Sequence, residues 1–141
     1  MSLLPNWATL QQPPPRNHGT PAIDALRPGE PFRKVVGDFL SDAAIERAEK
    51  IGLKNYGSLL TANNGRDQPI EILQELADTP GALVAWLQEI GPEDDADDDD
   101  AYCEREGVEC AMQLLNNLAW TITAAAKRRA KRLAKAKGET P

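Results

Sequence analysis

The sequence lacks the features that would mark a membrane, secreted or zinc protein. No apolar run approaches the roughly 20 residues that a membrane-spanning helix needs. The first ten residues carry neither a basic leader nor a long apolar stretch, so no signal peptide is expected. Histidine occurs once, at His18, and a single histidine in a polar stretch gives no support to a zinc site. Cysteine occurs twice, at Cys103 and Cys110. On one helix, seven residues separate their Cα atoms by about 10.5 Å, beyond the reach of a disulfide. Both are therefore read as reduced thiols, which fits a cytoplasmic protein. No segment alternates β-branched and polar residues with period two, so strands are not expected.

What is present favours one all-α domain. The chain has 141 residues, 41% hydrophobic and 27% charged. Much of it is poorly suited to burial, so the folded part is expected to be smaller than the chain and to form a homo-oligomer. Three regions follow from composition. Residues 1–31 hold seven of the eleven prolines, and proline removes backbone donors and fixes φ. This stretch reads as an extended arm, either disordered or wrapped on a neighbour through Leu3, Leu4 and Trp7. Residues 32–126 read as a helical bundle, and 127–141 as a basic tail.

Within the bundle, Phe32, Val35, Val36, Phe39 and Leu40 recur at helical spacing. Ser41 or Asp42 can cap a second helix running to about Leu53. Asn64-Gly65 signals a turn, and Asp67 is an N-cap for a third helix with Pro69 in its first turn. Thr79-Pro80-Gly81 breaks that helix near Asp78, and a fourth runs from Pro80 to Ile90, ended by Gly91-Pro92. The acidic run 93–100 reads as a solvated loop. A final helix starts near Tyr102, with Leu114, Leu118, Ile122, Leu115 and Ala119 as its core stripe and Asn116 or Asn117 near the core. Extended to the end of the basic run, it would be about 54 Å long.

Charge is segregated. Seven acids occupy the eight positions 93–100, and seven bases the eleven positions 127–137. The bases can neutralise nucleic-acid phosphates, pair with the acidic run of the same or another subunit, or stay solvated. Their apolar face is too thin for insertion into a membrane surface.

Glu71, Glu75 and Asp78 share one face of the third helix, opposite Ile72, Leu73 and Leu76, and Glu46 and Glu49 share a face of the second. Acids opposite an apolar stripe are what an amphipathic surface helix presents. They are also what Mg²⁺ requires, since this hard cation takes oxygen ligands. The order Glu46-x-x-Glu49, then 25 residues, then Glu75-x-x-Asp78 resembles the motif of the MazG-like all-α NTP pyrophosphatases. The Asn64-Gly65-Arg66-Asp67 turn before an acidic helix is also similar to small MazG-like proteins of phage and bacterial genomes. The resemblance covers roughly residues 40–90.

That resemblance implies a helical bundle in which Glu46, Glu49, Glu75 and Asp78 hold Mg²⁺ and a nucleoside triphosphate releases pyrophosphate. In such a site Arg66, Lys50 and Lys54 would meet phosphate charge. Glu71 would position or deprotonate water. The alternative expectation is a non-enzymatic accessory module that binds nucleic acid, a nucleotide or a host protein through its charged tail and proline-rich arm.

Overall fold

The computed structural model describes residues 7–36, 39–91 and 98–139, and these are all-α, with no strand among them. A 3₁₀ helix, Ala22–Leu26, is followed by α1 (Arg33–Val36), α2 (Asp42–Tyr56), α3 (Gln68–Ala77), α4 (Thr79–Ile90) and α5 (Asp99–Ala136). No helix among the described residues is long and apolar enough to cross a membrane. The chain divides into two compact units: Gln11–Arg66, and Asp67–Pro141 with Met1–Leu10.

In the unit Gln11–Arg66, α2 is bounded by local chemistry. Ser41 accepts from the Ala44 N–H at 3.2 Å, and Gly57 closes the helix at φ +69°, its N–H donating to the Leu53 carbonyl at 2.9 Å. Such a left-handed C-cap strongly favours glycine. The helix therefore runs three residues past Leu53. Among the described residues of this unit, Ile45 is the one apolar side chain that is fully buried.

Polar groups supply the rest of the interior. Thr61 and Asn64 are buried, and backbone from 16 to 22 is pinned to the 58–64 loop. Arg16 N–H donates to the Asn64 carbonyl, His18 N–H to Thr61 Oγ1 and Ala22 N–H to the Leu60 carbonyl, each at 2.8 Å. The proline-rich stretch is thus held in place over these residues, and it includes the 3₁₀ helix that its composition argues against. A 3₁₀ turn needs few internal hydrogen bonds and fits between prolines. Leu3 and Leu4 lie outside the described residues.

Of the helix expected over Phe32–Leu40, the described residues show the single turn of α1. Phe32, Val35 and Phe39 are exposed, and 37–38 lie outside the described residues. Helical spacing alone did not supply a surface for these side chains to bury against.

In the other unit, α3, α4 and α5 pack on one another around Leu73, Val108 and Ala126. Asp67 caps α3 by accepting from Ile70 N–H at 3.3 Å, with Pro69 in the first turn as expected. Asp78 separates α3 from α4 and donates its N–H back to the Glu75 and Leu76 carbonyls. Trp7 belongs here: Gln74 Nε2 donates to the carbonyls of both Trp7 and Leu10 at 2.8 Å.

Three expectations for α5 need correction. It begins at Asp99, not near Tyr102, because Asp98 caps it by accepting from Asp100 and Ala101 N–H groups at 3.1 Å. Acids in a first helical turn are favoured by the peptide dipole, so the end of the acidic run is helix; residues 93–97 lie outside the described residues. Its buried side is Val108, Thr123 and Ala126, whereas Leu114 is 62% exposed and Leu118 45%. Asn116 and Asn117 are both exposed, not near the core. Of the expected stripe, Leu115, Ala119 and Ile122 are part-buried on the same side as Val108 and Ala126, while Leu114 and Leu118 face outward.

Candidate functional site

The acids of α2 are already engaged. Arg27 bridges Asp24, at 2.9 Å, and Glu49, in a very short contact. Both partners hold the Arg27 guanidinium pKa above its ordinary value, hydrogen bonding to Asp24 and then to Glu49 being the main cause. Glu46 is exposed and pairs with Lys50 at 3.0 Å, one turn on. Lys54 is exposed in the last turn of α2.

On α3, Glu71 sits half-buried in the first turn and Glu75 is exposed. Asp78 is exposed at the junction with α4. Asp67, the cap of α3, is paired with Arg129 of α5 at 3.3 Å. Among the described residues, no three Asp, Glu, His or Cys side chains gather closely enough to hold a metal ion. Within the unit Gln11–Arg66, Glu49 pairs with Arg27 and Glu46 with Lys50.

The best-organised polar feature lies in the 58–66 loop and the chain facing it. Asn64 is wholly buried. Its Nδ2 donates to Asn17 Oδ1 at 3.0 Å, and its Oδ1 accepts from Arg66 N–H at 3.1 Å. Asn17 Oδ1 also accepts from Thr61 N–H at 3.1 Å, while Asn17 Nδ2 donates to Ser58 Oγ at 3.0 Å. A satisfied buried network of this kind fixes the geometry of its loop. Asn63 and Gly65 both take left-handed backbone, at φ +56° and +88°, so the chain reverses tightly around Asn64.

Gly65 has a second role. A Cβ placed there would lie 3.2 Å from Arg16 Nη2, so the missing side chain leaves room for that guanidinium. Arg16, Asn17, His18 and Asn63 line an open polar cleft of about 440 Å³. Arg66, leaving the same turn, holds its guanidinium 5.8 Å from the centre of the Tyr56 ring, a cation–π arrangement. An arginine fork that is held in place presents paired donors suited to phosphate or carboxylate oxygens.

Sequence reasoning selected Arg66 but missed Arg16, Asn17 and Asn63. The available signal was Asn63-Asn64-Gly65, whose turn chemistry requires partners for a buried amide; nothing local pointed to residues 16–18 as those partners. For Trp7, composition predicts either disorder or a contact with a neighbour. The residue instead lines an apolar groove of about 250 Å³ with Leu73, Leu76, Met112, Leu115 and Ala119 of its own unit. Compared with protein-family models, characterised proteins and solved structures, the chain matches none.

Proposed function

We propose that this is a MazG-like nucleotide-binding protein, with the phosphates of a nucleoside triphosphate received in the cleft at Arg16, His18 and Asn63. The observation that carries this reading is the Arg16 guanidinium fitted over Gly65 in the turn whose buried Asn64 is hydrogen-bonded to Asn17 and to the Arg66 N–H. A loop held this rigidly aims its charged side chains before a ligand arrives, and preorganised donors bind anions with little ordering cost. Arg66 leaves that turn as a further cation for a phosphate chain. The free, exposed thiols of Cys103 and Cys110 are consistent with a cytoplasmic setting.

Pyrophosphate release is the reaction that the order Glu46, Glu49, Glu75 and Asp78 suggests, with Mg²⁺ as the cation and Glu71, Lys50 and Lys54 as assisting groups. In such a reaction Mg²⁺, held by these acids, would neutralise phosphate charge and orient the attacking water. Glu75 and Asp78 are the exposed pair through which hydrolysis is tested.

The experiment is a panel of nucleoside and deoxynucleoside triphosphates, with and without Mg²⁺, read by thermal stability and by pyrophosphate release. A ligand that binds only the folded state raises the melting temperature. The expected result is a shift with triphosphate that Arg16→Ala removes. Loss of pyrophosphate release in Glu75→Gln, with the shift retained, would assign hydrolysis to the α3 acids. No shift with any nucleotide overturns the reading.

A further inference from the structure

We infer that α5 pairs antiparallel with α5 of a second copy of this chain, about a dyad near the middle of the helix. This inference does not rest on the nucleotide reading.

The first observation is an unused helix face. Cys103, Gly107, Cys110, Leu114, Asn117 and Thr121 recur at alternating spacings of four and three residues, and all are exposed. That alternation is the seam of a left-handed helix pair. Leu118 lies beside it, also exposed. The buried side of α5, marked by Val108, Thr123 and Ala126, is a different face. The seam includes small residues at Gly107, Cys110 and Cys103, which permit close approach, and its largest apolar side chains lie near the centre of the helix.

Charge then selects both occupant and orientation. The first third of α5 carries Asp99, Asp100, Glu104, Glu106 and Glu109; the last third carries Lys127, Arg128, Lys131, Arg132 and Lys135, with Lys137 as its C-cap. Among the described residues, Arg129 alone of the basic run has an ion-pair partner, Asp67. The remaining cations lie on the helix that also carries the acids, separated from them by the leucines. No single straight helix can fold back to join its own ends. Two copies laid antiparallel set the acidic third of each against the basic third of the other, with Leu114 and Leu118 at the centre. Parallel pairing would set acids on acids and bases on bases, which is repulsive at both ends. A self-complementary surface of this kind is what a two-fold interface requires.

Nucleic acid is the rival occupant of the basic third, but it offers no complement to the acidic third or to the central leucines. The second copy uses all three.

The test uses the full chain. Light scattering with size-exclusion chromatography in low salt should report a dimer that weakens in high salt. Leu118→Glu, which places glutamates near the dyad, should give monomer with an unchanged helical signal, since Leu118 is exposed. Reversing Arg128 and Arg132 to Glu should also dissociate the dimer, and adding Asp99→Lys with Glu106→Lys should restore it. Spin labels on single-cysteine variants read the orientation. With a rise of 1.5 Å per residue, antiparallel pairing places the two Cys103 labels about 40–50 Å apart and the two Cys110 labels about 20–30 Å apart; a parallel pair gives two similar, short distances. A monomeric wild type, a dimer indifferent to Leu118→Glu, similar label distances at both sites, or a monomer that binds duplex DNA through the basic run overturns the inference.

Discussion

Asn64 donates its side-chain amide to Asn17 Oδ1 at 3.0 Å, across 47 residues of sequence. The contact lies in a unit with little buried hydrocarbon, where Thr61 and Asn64 are buried beside Ile45. Polar satisfaction, more than apolar area, fixes where residues 16–18 meet the loop.

Asn64→Ala removes the acceptor for Arg66 N–H and the donor to Asn17. Stability should fall by about 2 kcal/mol, the scale of a buried polar group losing its partner. Chemical denaturation followed by circular dichroism gives the shift. Amide exchange at Arg16, His18 and Arg66 should quicken more than exchange in α5.

Gly65→Ala and Gly29→Ala separate strain from displacement. Both glycines have positive φ, +88° and +86°, but only Gly65 has Arg16 within reach of a new Cβ. Each alanine should cost about 1 kcal/mol or more through the left-handed backbone. Only Gly65→Ala should also move the Arg16 guanidinium and weaken the triphosphate-dependent thermal shift. Equal thermal shifts in the two variants would remove Arg16 from the binding site.

Asp67 has two roles that a pair of substitutions resolves. Asp67→Asn keeps a capping oxygen and loses the charge facing Arg129, an exposed pair expected to contribute well under about 1 kcal/mol. Asp67→Ala loses the cap as well, at about 1 kcal/mol. A double-mutant cycle with Arg129→Ala measures the ionic part directly.

Tyr102 should ionise above its usual value of 10.0, because its hydroxyl donates to Glu106 at 2.7 Å and the phenolate would face that carboxylate. A raised folded-state pKa means that the stabilisation is present below the unfolded value and is lost as pH rises through the folded one. Ultraviolet titration of a Tyr56→Phe background shows Tyr102 alone. Adding Glu106→Ala should bring its midpoint back down.

The helices were legible where local chemistry marks them. Ser41, Asp67 with Pro69, the Pro80 break and Gly91 all act near the positions where their residue types favour caps and stops. The inward face of α5 was legible in part: Leu115, Ala119 and Ile122 lie on it, but hydrophobicity also points to Leu114 and Leu118, which are exposed, and not to Val108, Thr123 and Ala126, which are buried. Small side chains allow helices to approach, and that depends on the neighbour's surface, which one helix cannot display. The arm was misread for a related reason: proline content excludes long helices, but it does not exclude anchoring, and Asn17 looks like any polar loop residue until Thr61 and Asn64 lie opposite it. The acidic positions were legible as positions only. Arg27, the residue that occupies Glu49, lies outside the spacing that drew attention to it.

The length of α5 has a kinetic consequence. Starting a helix is the unfavourable step, and adding residues to it is cheap. Thirty-eight residues form one uninterrupted rod, begun by the Asp98 cap, with anions at its amino end and cations at its carboxyl end, where the backbone's partial charges favour each. Winding can therefore begin before α3 and α4 have docked. In a refolding experiment α5 should contribute the earliest ellipticity, and on heating it should hold the residual signal after the loops around Asn64 have come apart.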